Sequence, residues 1–329
     1  FTVYAVPVAA MSSVFLFYVV ASFVQNRSMR YSLIALLTCA MLYPNIMHIV
    51  GYKVPTVFSK TEVETLDRLK TISSPEDYTL TWWDYGYPIW YYSNTNTLID
   101  GGKHNEDNFI ISQILNTTSQ TQAANLARLA VETYVSSDYK IVANEIFKNK
   151  TPQQLDPNIM LDELSLSDYQ LPAKTRDIFI YLPNKMLNIF PTVTLFSNID
   201  LVSGQKGPRA FYYISNRFED SQGIINLGNN VKIIKAKAQL QIGMQTVPIN
   251  KFVTTLYDNN QILKKELQQL NPNGNLNVIY MKNYNQFLVL DNRMYNSLFI
   301  QMFVLENYDK SLFEPVILNP LTKVYRLKI

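Results

Sequence analysis

Two long apolar runs open the chain, 1–24 and 31–52, and neither holds a charged side chain. Each is long enough for a helix that crosses a hydrocarbon core, which takes about 20 predominantly apolar residues. Pro7 and Pro44 lie inside these runs. Membrane helices tolerate proline because neighbouring groups re-satisfy the freed carbonyl. Tyr4, Tyr43 and Tyr52 stand near the run ends, where an interfacial aromatic belt would lie. The first run does not read as a signal peptide, since it lacks a basic leader and a second span follows. A buried helical hairpin in a soluble core is the other reading of the pattern. The connector 25–30 carries Arg27 and Arg30. The positive-inside tendency puts it in the cytoplasm and everything after Tyr52 on the outer side.

Beyond Tyr52 the periodicity shortens and mixes. Ser59 as an N-cap, Glu62 three residues on, and Val63, Leu66 and Leu69 at helical spacing predict a helix over 59–69. Residues 73–77 break the chain, 78–83 alternate as a strand, and 84–88 read as a turn. A short extended stretch follows at 97–99, then the Gly101-Gly102 breaker. Helices are predicted over 107–115 and 119–135, a strand over 178–182, and a short helix over 185–190 stopped by Pro191. After about Leu201, β-branched and aromatic runs dominate: 210–215, 231–242, 251–257, 275–280, 286–290 and 323–329. Residues 282–285 read as a hairpin loop, and 261–270 and 295–305 as helices. The expected fold is mixed α+β: two transmembrane helices, then a mixed α/β domain with a β-rich, barrel-like unit. The expected divisions are 1–52, 53–205 and 206–329.

Charge sharpens this division. The 329 residues are 47% apolar and 17% charged, with a net charge of +3. Residues 1–52 hold only the two arginines, which leaves 27 basic and 26 acidic residues for the rest. The pattern excludes a freely soluble cytoplasmic enzyme, a disordered chain and an electrostatically driven nucleic-acid binder. The single Cys39 falls in the second span, so the outer 277 residues rely on an ordinary core. A chain that opens inside a span also reads as a piece of a longer protein.

The usual catalytic signatures are missing. Two histidines, His48 and His104, are too few for a histidine metal cage, and there is no glycine-rich phosphate loop and no G-x-S-x-G elbow. What stands out is Trp82-Trp83-Asp84-Tyr85-Gly86-Tyr87. An indole N–H donates only and an ionised carboxylate accepts only. At a strand end, Trp82, Trp83 and Asp84 can surround one small hydroxyl, with aromatic rings excluding water. The same residues also read as an aromatic strand end with Asp84 as a turn residue, and spacing alone does not choose.

The run WWDYG, with Asp100-Gly101-Gly102-Lys103-His104 after it, resembles the signature of the oligosaccharyltransferase catalytic subunit family, and its bacterial single-subunit members most. Two spans followed by an outward-facing domain opening with this motif is also the family's layout for its last two spans and C-terminal domain. The resemblance implies transfer of a glycan from a polyprenyl-pyrophosphate carrier, the lipid-linked oligosaccharide, to Asn of Asn-x-Ser/Thr sequons in acceptor proteins or peptides. It implies that Trp82, Trp83 and Asp84 bind the Ser/Thr hydroxyl. Met186-Leu187-Asn188-Ile189 is similar to the family's M-x-x-I motif, with Val193 four further on. Ile189 would touch the methyl of an acceptor Thr, and Met186 belongs to the same motif; plain helix packing is the other reading of both. One buried methyl is worth about 0.8 kcal/mol, a Thr-over-Ser preference of roughly fourfold.

Tyr87 would brace the loop that closes over the acceptor. His104, with Lys103, would meet the carrier's pyrophosphate, although a lone histidine is also commonly structural. The divalent cation of the family, Mn2+ or Mg2+, would be bound mainly by acidic loops in the N-terminal transmembrane part, before Phe1. No metal ligand and no catalytic residue is therefore expected in this segment, and 1–329 alone is expected to be inactive. The implied location is a bacterial inner membrane, with the C-terminal domain in the periplasm and no nucleic-acid partner. Two sequons lie in the chain, Asn116-Thr117-Thr118 and Asn149-Lys150-Thr151. Ile114 and Phe147 stand where bacterial enzymes of the family want an acid, so neither is expected to be modified. A membrane-anchored periplasmic binding or assembly module without catalysis is the alternative, and another polyprenyl-dependent glycosyltransferase a further one.

Overall fold

The computed structural model describes residues 2–52, 58–147, 156–259 and 261–329; the second sequon, 149–151, lies outside them. The chain divides into two compact units, 1–59 and 60–329.

The first unit is a pair of helices, Thr2–Ser22 and Arg27–Gly51, containing Pro7 and Pro44. Both are long and apolar enough to cross a membrane. Asn26 starts the second, its side chain accepting from the amides of Ser28 and Met29. Arg30 reaches back to donate twice to the Val24 carbonyl, at 3.0 and 2.9 Å, and so covers the end of the first helix. Large apolar side chains such as Met11, Phe15 and Ile49 point outward, which lipid accommodates and water does not.

The second unit is a mixed α/β domain built on two sheets. The smaller has the order Tyr78–Leu80, Ile178–Pro183, Thr322–Leu327, Phe313–Leu318. The first pair is parallel, Tyr78 against Ile178, and the others are antiparallel. Every residue of Ile178–Pro183 is buried, as an apolar run covered on both faces must be. Helices Lys60–Lys70, Asp107–Asn116, Gln120–Ser136 and Met186–Val193 supply Leu66, Leu69, Ile110, Leu126, Met186 and Phe190 to the core. Ser119 caps the third of these, accepting from the Gln122 amide.

The larger sheet is curled. It runs Tyr212–Ser215, Gln286–Asp291, Leu276–Met281, Gln245–Tyr257, Gln239–Ile242, Val231–Ile234, Ile224–Asn226, Glu219–Ser221, with Leu263–Gln269 also paired to Gln245–Tyr257. The Tyr213 and Ser215 hydroxyls, on the edge strand Tyr212–Ser215, both donate at 2.8 Å to the Leu227 carbonyl, which follows the strand Ile224–Asn226. Ile233, Leu240, Val278, Phe287 and Val289 fill the concave side.

Several expectations need correction. Residues 261–270 are a strand rather than a helix: Leu263–Gln269 follows a turn with Gln261 at φ 59° and pairs in register with 251–257. Its helix-forming side chains are mostly exposed, so pairing to an available strand overrides local propensity. The run 231–242 splits into a hairpin, because Lys235–Lys237 form a 3-10 turn and Ala238 sits at φ 50°. The region 295–305 is a short helix, Asn292–Asn296, and a π turn, Ile300–Val304. Residues 97–99 form no strand; Asn96 instead makes an isolated bridge to Tyr78. The strand at 78 ends at Leu80, and 83–93 is a helical segment of mixed pitch where a simple turn was expected.

The helix at 186 runs through Pro191 to Val193. Proline leaves the carbonyl four residues back without its amide, and the Tyr212 hydroxyl replaces it, donating to Leu187 O at 2.7 Å. Strands at Glu219–Ser221, Ile224–Asn226 and Phe313–Leu318, and helices at Val142–Phe147 and Pro157–Glu163, add to those expected.

Candidate functional site: an aromatic and acidic turn at a strand end

The strand Tyr78–Leu80 leads directly into the tryptophan pair. Trp82 is extended, at φ −68° and ψ 148°, and its carbonyl accepts from the Tyr85 amide at 3.0 Å, which opens the Trp83–Tyr85 3-10 turn. Trp82 is buried, Trp83 half-buried, and Asp84 exposed at the tip. Tyr85 returns inward beside Tyr181.

Glycines lock this turn against the Asp100–Lys103 run. A Cβ on Gly86 would lie 2.4 Å from Asp100 Cβ and 2.7 Å from its Cα, so the backbones meet where a side chain cannot fit. Tyr87 lies over the other two glycines; a Cβ on Gly101 would fall 2.6 Å from its ring. Asp100 is buried and holds its own turn, Oδ1 accepting from the amides of Gly102 and Lys103 at 2.7 and 3.0 Å. The two motifs are therefore one structural junction.

That junction delivers His104 to the site. Its ring sits edge-on to Trp83, with centroids 4.2 Å apart. Asp84 has its pKa raised: loss of water around the carboxylate raises it, while its own backbone amide and the charge of His104 lower it. Trp82 packs edge-on against Phe196, centroids 4.9 Å apart, just beyond the Met186–Val193 helix. Sequence reasoning missed Phe196; its signal is the apolar pair Leu195-Phe196 left exposed past a helix end.

The structure thus brings together Trp82, Trp83, Asp84, Tyr87 and His104. Lys103 turns elsewhere: its ammonium lies over the rings of Trp90 and Tyr134. Met186 and Val193 are fully buried and Ile189 half-buried. Met186 therefore shapes the helix from inside, and Ile189 is the motif residue with surface to offer. Among the described residues no group of three His, Cys, Asp or Glu side chains could hold a metal ion.

Comparison with known proteins decides the family. The STT3/PglB/AglB core domain matches residues 75–203, and the STT3/PglB C-terminal beta-barrel domain matches 211–290. The crystal structure of the Campylobacter jejuni PglB C-terminal domain superposes with a TM-score of 0.71 at 36% identity, over 81% of this chain and 99% of that one. The chain belongs to the STT3/PglB oligosaccharyltransferase family. Two curated undecaprenyl-diphosphooligosaccharide–protein glycotransferases, from two strains of C. jejuni, are each 38% identical over 350 residues. Those alignments take in 100% of this chain and 48% of each relative, so the chain spans about half the length of the curated relatives it matches. Two apolar helices followed by this family's C-terminal domain give it the topology of an inner-membrane protein with its folded domain in the periplasm.

Proposed function

We propose that this chain is the acceptor-selecting part of an enzyme that moves a glycan from a polyprenyl-pyrophosphate carrier to the Asn amide of Asn-x-Ser/Thr. Within it, Asp84 accepts a hydrogen bond from the sequon hydroxyl, and Trp82 and Trp83 wall the site and donate. Ile189 meets the methyl of an acceptor Thr, supported from inside by Met186. Tyr87 braces the acceptor side, and His104, beside Asp84, faces the carrier's diphosphate. The divalent cation that the family resemblance implies belongs, on this reading, to the part of the relatives that lies beyond this chain. Residues 1–329 alone do not turn over.

The observation that carries the reading is the junction itself. Gly86 packs against Asp100, and Tyr87 against Gly101-Gly102, so the turn that exposes Asp84 is held to the run that carries His104 onto Trp83. Replacing Asp84 with Ala in the whole enzyme should weaken binding of a sequon peptide about tenfold to a hundredfold, the range for losing a hydrogen bond to a charged group. Unchanged affinity, measured by fluorescence anisotropy, would reject the role.

A further inference from the structure

Lys103 leaves the acceptor site for a second, open cleft of about 590 Å3, lined among others by Tyr78, Trp90, Asn96, Tyr134, Tyr139 and Arg176. Its ammonium is held over Trp90 at 5.0 Å and Tyr134 at 5.5 Å, and donates to the Tyr134 hydroxyl at 3.2 Å. An ammonium has three donors, so two remain. Arg176 lies over Tyr78 at 5.8 Å and, among the described residues, donates to two uncharged oxygens, Thr175 Oγ1 and the Glu76 carbonyl. Neither cation has a carboxylate within 4 Å among the described residues. Glu76 lines the cleft, and buried Asp107 lies close enough to feel the charge of Lys103. The cleft lining itself carries two cationic side chains, Lys103 and Arg176, against one acidic residue, Glu76.

Its wall is built at a conformational cost. Asp138 and Tyr139 are both left-handed, at φ 60° and 63°, where residues other than glycine are strained. This pair sets the Tyr139 ring edge-on to Tyr134, with centroids 5.5 Å apart. Outside the cleft, the helical segment that begins at the acceptor site exposes Tyr87 by 55%, Trp90 by 43% and Tyr91 by 80%. Exposed Trp and Tyr beside unpaired cations is the composition that settles at a membrane–water interface: amphipathic rings at headgroup depth, cations on phosphates.

We propose that the Lys103–Arg176 cleft and the adjoining Trp90–Tyr91 ledge dock on the phosphate headgroups of an anionic phospholipid surface. The occupant follows from charge complementarity and from topology. An inner-membrane protein holds bilayer phosphates at high effective concentration for its periplasmic domain. Docking there would hold the domain at the bilayer through contacts separate from those at Trp82–Asp84.

Vesicle co-sedimentation of residues 60–329 tests this. The segment is a separate compact unit, and the corresponding domain of a relative has been crystallised by itself. It should bind vesicles of phosphatidylcholine mixed with phosphatidylglycerol and leave phosphatidylcholine vesicles alone. Lys103→Gln combined with Arg176→Gln should weaken partitioning about thirtyfold, taking roughly fivefold for each cation near an anionic surface, whereas Lys103→Arg with Arg176→Lys should retain it. Tyr91→Ala, at an exposed position that does not threaten folding, should weaken binding through the lost interfacial ring. Equal binding to both vesicle types, binding to neither, or a Tyr91→Ala variant and a folded double variant that bind as the parent does would overturn the proposal. Displacement by free inorganic phosphate at low millimolar concentration would also overturn it, by marking a soluble-anion site.

Discussion

Asp84 is the residue on which the acceptor reading turns, and its protonation is set by opposing influences. Removal of water favours the neutral acid and raises its pKa above the ordinary 3.8; the backbone amide and His104 pull it back. Only the ionised form accepts from a hydroxyl with both oxygens. Affinity for a sequon peptide should therefore fall with decreasing pH sooner than an unperturbed carboxylate would allow. His104 stabilises the ionised form, so His104→Ala should raise the Asp84 pKa further and move that acid limb to higher pH. Carbon-13 NMR titration of the Asp84 carboxyl checks both statements, and a limb left in place by His104→Ala would contradict the pairing. Much at this scale is legible in sequence, because Trp, Asp and His carry their chemistry wherever they sit. Partners brought in by folding are not legible: nothing in Phe196 announces that it meets Trp82, and adjacent Lys103 and His104 face different sites.

At the scale of elements, the Met186–Val193 helix shows what local rules miss. Proline is a helix terminator by local chemistry, so 185–190 reads as a complete element. The helix continues because Tyr212, from the other sheet, supplies the hydrogen bond that Pro191 cannot. Leu187 is 1% exposed, so removing that donor leaves a buried carbonyl unsatisfied. Tyr212→Phe should cost about 1–3 kcal/mol of stability. In a Pro191→Ala background, where residue 191 regains its amide, the same change should cost much less. Urea denaturation of the four proteins gives the coupling directly, and additive effects would refute it. The strand at Leu263–Gln269 teaches the same lesson in reverse, since its helix-forming residues yield to pairing with Gln245–Tyr257. Apolar runs long enough to span a membrane, and buried runs such as Ile178–Pro183, are legible because burial alone dictates them. Polar edge elements such as Glu219–Ser221 are fixed by partners distant in sequence, so they are not.

At the scale of the whole molecule, the two sheets of the folded domain are joined through a buried cation. Lys323, on the small sheet, is fully buried and pairs with Glu306 at 2.8 Å. It also donates to the Phe303 carbonyl and lies 5.4 Å from the Tyr257 ring of the curled sheet. Burial pushes its pKa down to about 8, against the favourable charge of Glu306. The unfolded chain keeps the ordinary 10.5 and so binds more protons between those values; stability should rise with pH from about 8 toward 10.5. The window closes near 10.0, the ordinary tyrosine value, because buried Tyr181 and Tyr325 have raised pKa values and the unfolded chain ionises first. Lys323→Met should abolish the rise between about 8 and 10, as read by urea denaturation across that range; a rise of equal size in the variant would contradict the assignment.

The central claim, that the Trp82–Asp84 turn selects acceptors by a side-chain hydroxyl, is a property of the assembled enzyme. The direct test is the affinity of the whole enzyme for three peptides that differ only in Asn-x-Thr, Asn-x-Ser or Asn-x-Val. Valine keeps the shape of threonine and lacks its hydroxyl. The Ser peptide should bind roughly fourfold below Thr for the missing methyl, and the Val peptide about tenfold to a hundredfold below Thr for the missing hydrogen bond. The Thr–Val gap should collapse in the Asp84→Ala enzyme. Equal affinity for the Thr and Val peptides in the unmodified enzyme would contradict the claim.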